Sequence, residues 1–304
     1  MKGTKLPNFV VVGAPKCGTT SLYHYMAEHP DVFVPERKEL HYFSHPDMAR
    51  NATGPEDAHV LRSLCSTPEE YATYYDGAEG HAAVVDVSPS YLYYHDAAER
   101  MRTELGEPGI VVILRNPVEK AFSHYMHLVR DNREPLSFRE GVAAEAERTQ
   151  AGWAALWRYV GNSIYAPGVA RYREVFGDER VLVLFYEDLR ADAESFVARV
   201  FEFLGVDAGV RPDVERVYHR SGRPRSKLLA NVLSKAGPVS SLARALLPEG
   251  VRNSVRAALQ NMNTGAKDEL DAETRAWLAP RFREDAENLA ALLGRDVPWK
   301  EELS

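Results

Sequence analysis

Short continuous apolar runs alternate with stretches of helical period along most of this chain. Phe9–Gly13, Ala82–Val87, Ile110–Leu114 and Arg180–Tyr186 read as strands. They are runs rather than strict alternations, as suits parallel strands covered on both faces. Between and beyond them, Thr19–His29, Glu69–Tyr75, Ala97–Leu105, Pro117–Val129, Ser137–Ala151, Pro167–Phe176 and Glu194–Leu204 carry a helical pattern. In the first of these, Leu22, Tyr25, Met26 and His29 share one face. The alternation predicts an α/β fold with a mostly parallel central sheet flanked by helices, as one domain over residues 1–304. The tail differs. Asp271 reads as an N-cap, Pro280 as a bend and Gly294 as a stop after Leu293, so 235–304 is expected to be a helical extension packing on the domain. Residues 44–67 and 206–262 are the least regular and are expected to carry loops over the site.

Composition narrows the class. With 45% hydrophobic and 27% charged residues, the chain is neither collagen-like, coiled-coil nor wholly disordered. The longest apolar run opens with Phe9-Val10-Val11-Val12 and stops at a loop carrying Lys16. It falls short of the ~18–20 residues of a membrane span. The apolar stretch behind Lys2 and Lys5 is too short for a secretory signal. A soluble, cytoplasmic protein with no membrane span is expected. Two cysteines, Cys17 in a tight loop and Cys65 in a polar stretch, are expected to be free thiols. The net charge of −7 argues against a nucleic-acid binder. Residues 211–256, however, hold ten Lys/Arg against three Asp/Glu. Such a stretch reads as a solvated basic loop by itself, and in an acidic protein it also suits a defined anionic ligand.

Gly13-Ala14-Pro15-Lys16-Cys17-Gly18-Thr19-Thr20-Ser21 joins a buried strand to a helix start. That geometry leaves backbone N–H groups at a helix N-terminus, where the dipole favours an anion. Gly13 and Gly18 permit a tight turn, the three hydroxyls add donors, and Lys16 adds a charge. The spacing of the glycines is that of a nucleotide P-loop, but Thr19 stands where that loop has its lysine. No strand-end aspartate is placed to hold magnesium. A phosphate loop on a P-loop-like, three-layer domain is expected, but not one serving ATP hydrolysis.

Ile113-Leu114-Arg115-Asn116-Pro117-Val118-Glu119-Lys120-Ala121-Phe122-Ser123 is the second motif. Asn116 suits a cap and Pro117 a first helical position. Val118, Ala121, Phe122, Tyr125, Leu128 and Val129 form the core stripe, and Ser123 lies about 140° from Val118, off that stripe. Arg115 and Ser123 at the carboxyl end of a strand suit a second phosphate, although taken alone the motif reads better as a capped helix with a solvated serine. His124 and His127 share a helix side and are expected on a polar surface.

Together the two motifs resemble the 5′-phosphosulfate loop and the 3′-phosphate motif of the sulfotransferases, which use 3′-phosphoadenosine 5′-phosphosulfate (PAPS) and release PAP. The resemblance extends over Val183–Leu189, the helix after it and Ser221-Gly222-Arg223, so it spans roughly residues 7 to 230. It implies that Lys16, Cys17, Gly18, Thr19, Thr20 and Ser21 hold the 5′-phosphosulfate and that Arg115 and Ser123 hold the 3′-phosphate. Tyr186 then lies near the adenine, and Gly222 and Arg223 close the 3′-phosphate site. Lys38-Glu39-Leu40-His41-Tyr42-Phe43 is similar to a segment of the heparan-sulfate type, whose glutamate is the catalytic base. That implies Glu39 as base, with Lys16 and His41 as catalytic partners and Lys38 and His41 near the acceptor. Ser44 stands where those enzymes have an acidic residue, and their cysteine pair is missing. The C-terminal Arg-Lys-Gly-x-x-Gly-Asp-Trp run of the small-phenol type is also missing. Asp86-Val87-Ser88-Pro89-Ser90-Tyr91 resembles the acceptor-side segment and implies Asp86, Ser88 and Tyr91 at the acceptor, where a plain proline turn is the alternative.

The expected reaction is in-line transfer to the hydroxyl of a sugar, lipid or secondary metabolite, without a metal. It needs positioning and charge stabilisation more than covalent help. Glu39 suits a base near neutral pH only if its surroundings raise its pKa. A P-loop kinase-like enzyme and a non-catalytic PAP-binding module stay open. So do a glycan or small-molecule acceptor, and a monomer or homodimer.

Overall fold

The computed structural model describes residues 5–214 and 269–303. Strands β1 (Phe9–Gly13), β2 (Val32–Phe33), β3 (Ala83–Val87), β4 (Gly109–Leu114) and β5 (Val181–Phe185) form one sheet in the order β2-β3-β1-β4-β5. Every neighbouring pair is parallel. β3 and β4 are buried at each position, which explains their unbroken apolar runs. The helices are α1 (Thr19–Ala27), α2 (His45–Arg50), α3 (Asp57–Leu61), α4 (Pro68–Thr73), α5 (Ala97–Leu105), α6 (Pro117–Arg130) and α7 (Phe138–Ala143). They continue as α8 (Glu145–Gln150), α9 (Ala166–Phe176), α10 (Tyr186–Ala191), α11 (Ala193–Leu204), α12 (Ala272–Leu278) and α13 (Arg283–Leu293). The α/β architecture read from the sequence is the one observed.

β1 lies at the centre, between β3 and β4, so the loop that follows it opens where the strand order reverses. Ligands of open parallel sheets bind at that crevice. The β1–β4 register slips between Val11 and Gly13, and β1 turns outward. Leu92 N–H donates to the Val12 carbonyl at 2.7 Å, and Ala14 N–H to that of Ile113 at 2.7 Å. A Cβ on Gly13 would stand 2.5 Å from the Leu92 Cβ, so only glycine leaves the strand room to exit there.

Several local expectations change. The helix expected over Ser137–Ala151 is two, α7 and α8, with Ala144 between them. The break lets the Glu145 carboxylate accept the backbone N–H groups of Val160 and Gly161 at 2.5 and 3.3 Å. The stretch 44–67 holds α2 and α3, too short to show a period. β2 and α10 were likewise invisible to pattern. Cys65, from a polar stretch, is nonetheless fully buried, its Sγ 3.8 Å from the Thr67 carbonyl; it and Cys17 are both free thiols. Residues 215–262 of the second irregular stretch lie outside the described residues.

The tail folds onto the rest of its own chain. Asp271 caps α12 by accepting from the Thr274 N–H at 2.7 Å. Pro280 sits in a 3₁₀ turn between α12 and α13, and Gly294 ends α13 with φ 64°. Leu278, Phe282, Leu289 and Trp299 are buried, and the Trp299 ring meets Phe185 edge-on at 5.3 Å. Asp285 accepts the N–H groups of Tyr165 and Ala166 at 2.8 and 2.9 Å, capping α9 from a distant part of the chain.

Candidate active site

The first layer is the loop between β1 and α1. Gly18 stands at the N-cap with φ 89°, and no side chain caps the helix, so the N–H groups of its first turn face outward. A Cβ on Gly18 would lie 2.8 Å from Leu189 and 2.9 Å from Tyr186, so conformation and space both demand glycine. Cys17 is buried beneath the loop, where burial raises its thiol to about 11; it supports the loop and is no nucleophile. Thr19 is buried, and Thr20 and Ser21 are half-buried at the mouth. Lys16 also adopts a left-handed backbone, φ 69°. Burial and the neighbouring Arg130 lower its ammonium to about 8, although Glu39 and Asp131 pull the other way.

The second layer comes from the end of β4 and from α6. Asn116 caps α6 through the N–H groups of Val118 and Glu119, at 3.0 and 3.4 Å, and Pro117 opens it. The Arg115 guanidinium sits over the Tyr186 ring, 4.9 Å from its centre. It donates to the Lys16 carbonyl at 3.3 Å and to Glu119 at 3.3 Å. The arginine therefore ties the first loop to the second motif. Tyr186, the first residue of α10, supports both the guanidinium and Gly18. Ser123, half-buried, follows Glu119 by one turn on the same helix face.

α6 corrects one expectation. His124 is buried, not on a polar surface, and neither of its ring nitrogens has a hydrogen-bond partner among the described residues. Burial drives its pKa well below the usual value, with Lys120 and His127 adding to the effect. Lys120 is also fully buried; burial lowers it to about 7, and its ammonium donates to the Asn162 side-chain oxygen at 2.9 Å. These polar residues face inward because that side of α6 packs on the segment holding Tyr159 and Asn162, with the His124 ring edge-on to Tyr159 at 5.9 Å, a placement that helical period alone cannot reveal.

The third layer is the turn Lys38–Ser44. Glu39 and His41 have φ 63° and 59°. With Lys16, three of the expected catalytic residues occupy a conformation that costs roughly 1–3 kcal/mol each outside glycine. The Lys38 ammonium donates to Glu39 at 2.6 Å, to the Thr20 hydroxyl at 3.1 Å and to that of Thr19 at 3.4 Å. Lys38 was expected near the acceptor, but it reaches the phosphate loop and links that loop to Glu39. Burial pushes the Glu39 carboxyl up, yet the charges of Lys38 and His41 outweigh it and hold it at about 2. The raised pKa asked of a base is thus reversed in this arrangement. His41 Nε2 lies 3.8 Å from Glu39, and its Nδ1 lies 2.6 Å from the Ser90 hydroxyl. Ser44 joins the same chain of hydroxyls, 2.8 Å from Ser90.

Asp86, Ser88 and Tyr91, expected at the acceptor, are fully buried and offer no surface to a ligand. Asp86 accepts from Tyr71 and Tyr91 at 2.9 Å each and from Ser88 at 2.7 Å. Burial raises its pKa against those three bonds. Ser88 in turn accepts the His41 N–H at 3.3 Å, and the Val87 carbonyl accepts the Glu39 N–H at 3.0 Å. Their part is to fix the turn that carries Glu39 and His41.

The structure adds Arg130, which no motif reading singled out, and gives His127, expected only on a polar surface, a place beside the loop. His127 and Arg130, near the end of α6, lie within electrostatic reach of Lys16. Burial and Lys16 keep His127 neutral, while Glu39 opposes them. The Arg130 guanidinium is 2.7 Å from the His127 ring. A helix running past the loop gives this cluster, and only its i, i+3 spacing was visible in sequence. Gly222 and Arg223 lie outside the described residues.

Comparison with known proteins agrees with this geometry. The model of the Sulfotransferase family matches residues 7–209. A sulfotransferase structure from Alicyclobacillus acidocaldarius is 34% identical, covers 98% of this chain and 99% of its own, and superimposes with a TM-score of 0.78. The membrane-associated sulfotransferase kil1 of Dictyostelium discoideum is 23% identical over 97% of this chain and 67% of its own. The bifunctional heparan sulfate N-deacetylase/N-sulfotransferase 3 of Homo sapiens is 26% identical over 66% of this chain, yet only 22% of that protein is covered. The chain thus spans less than a quarter of the heparan sulfate enzyme. Among the described residues, no helix is long and apolar enough to cross a membrane.

Proposed function

The chain belongs to the sulfotransferase family and is a PAPS-dependent enzyme, and we propose that it moves the sulfuryl group of PAPS to an acceptor hydroxyl by in-line displacement, with Glu39 as general base. The observation that carries this reading is the position of Lys38, whose ammonium joins the phosphate-loop hydroxyls to Glu39. A base for the acceptor therefore stands one side chain from the loop that would hold the donor.

The residues present fit the donor. The uncapped start of α1, with Thr19, Thr20 and Ser21, suits its 5′ end, and Arg115 with Ser123 suits its 3′-phosphate. PAPS supplies the sulfuryl group on a phosphate leaving group. Lys16 places positive charge at the mouth of the loop, where the leaving oxygen gains negative charge. Glu39 accepts the acceptor's proton. A carboxylate held at about 2 is a weak base, and Lys38 is the cause. Lys38 also faces the loop, so an anion there draws its charge away from Glu39 and strengthens the base. His41, oriented by Ser90, and neutral His127 face the same carboxylate.

The acceptor belongs to the hydroxyls of sugars, lipids or secondary metabolites. Relatives named for heparan sulfate favour a sugar, whereas Ser44 in place of an acidic residue and the net charge of −7 disfavour a long polyanionic glycan. The test is calorimetric titration of the protein with PAP beside ADP–magnesium, followed by transfer from labelled PAPS to an acceptor panel. Tight PAP binding with turnover supports the reading. Preference for ADP–magnesium returns a kinase-like enzyme, and PAP binding without any transfer returns a binding module.

A further inference from the structure

The C-terminal segment, which lies beyond the residues 7–209 that the family match covers, touches the second motif at two points. The Asn116 side chain, which caps α6, donates to Glu302 at 2.7 Å. One turn further, Arg275 of α12 donates to Glu119, the carboxylate that also accepts from Arg115. One acid therefore lies between two arginines, one from the end of β4 and one from a helix about half the chain away. α12 is held in place for this. Leu278 and the following Phe282 have no exposure, and Arg139 donates to Thr274 at 3.2 Å and to Glu273 at 2.9 Å.

Glu119 is badly placed for a site that binds a phosphate. It precedes Ser123 by one turn and shares the Arg115 guanidinium. An unneutralised carboxylate there repels a dianionic group. We propose that Arg275 is a specificity-determining positioning residue for the 3′-phosphorylated cofactor. It neutralises Glu119 through the second carboxylate oxygen, so that the acid beside Arg115 does not repel the 3′-phosphate and the tail completes the donor site. The proposal rests on the reading of Arg115 as the 3′-phosphate arginine.

The test is titration of the full chain with PAP and with ADP, which lacks the 3′-phosphate, both without magnesium. Arg275→Gln should weaken PAP about twofold to fivefold, the scale of one partly screened charge contact, and leave ADP unchanged. Glu119→Gln in the same protein should restore PAP binding, because the repelling charge is gone. Glu119→Gln alone leaves the tail sequence untouched and should tighten PAP relative to ADP. Equal loss of both ligands in Arg275→Gln, absence of rescue in the double variant, or an unchanged PAP-to-ADP ratio in Glu119→Gln overturns the proposal. Arg115→Ala separates the two layers. If it loses PAP selectively while Arg275→Gln does not, only the role of Arg275 falls. If Arg115→Ala shows no selectivity for PAP, the 3′-phosphate lies elsewhere and both readings fall.

Discussion

The proposed donor and acceptor halves of the site are built by opposite means. The donor half, the loop after β1 with the start of α6, is made from backbone: an uncapped helix end, a glycine no other residue can replace, and cations at the rim. The acceptor half, the turn Lys38–Ser44, has no secondary structure of its own until Tyr42. It is held from below by Asp86, which gathers Tyr71, Ser88 and Tyr91. A backbone site is specified locally and fails when its own residues change. A turn held by a buried network also fails when residues that never meet substrate change.

The sharpest break concerns the charged groups themselves. Lys16→Ala and Glu39→Gln should each cut turnover by about 10²–10³-fold or more, the scale of losing one preorganised charge at a reacting centre. Glu39→Gln should keep PAP affinity in calorimetry, whereas a parallel loss of binding would make Glu39 a structural residue. Next comes the network. Asp86→Asn leaves buried hydroxyls mispaired, and about 1–3 kcal/mol of stability should be lost in denaturant unfolding. Its kcat should fall while PAP affinity holds, because the donor half does not depend on Asp86. Equal damage to PAP binding would mean the two halves are one cooperative unit.

Smaller effects sharpen the donor side. Gly18→Ala forces alanine into a left-handed backbone and against Leu189, so PAP affinity should drop by about 1–3 kcal/mol. Lys16, lowered to about 8 by burial and Arg130, is charged below that pH and neutral above it. A bound anion favours the charged form, so PAP binding near pH 8.5 should take up a proton. Calorimetry in buffers of different ionisation enthalpy measures this, and Lys16→Ala should abolish it. The mildest test is Lys38→Met. Without Lys38 the Glu39 pKa rises from about 2, and the acid limb of the pH–rate profile should move to higher pH. An unmoved limb would show that Lys38 does not control the base.

The sequence by itself determined the parallel sheet, the order of most elements, and the loop and helix cap assigned to the proposed donor half. Continuous apolar runs, Gly13 and Gly18 at fixed spacing and Asn116-Pro117 are local signals whose meaning depends on few neighbours. Tertiary structure decided what local pattern cannot encode. A polar residue on a helix gives no sign of which element will cover it, so His124 read as a surface position and is buried against Tyr159. The same limit turned Asp86 from an acceptor ligand into an anchor, because only the fold brings Tyr71 and Tyr91 onto its carboxylate. The contact of Arg275 with Glu119 joins residues 156 apart along the chain, and the charge balance at the second motif therefore belongs to the packed tail.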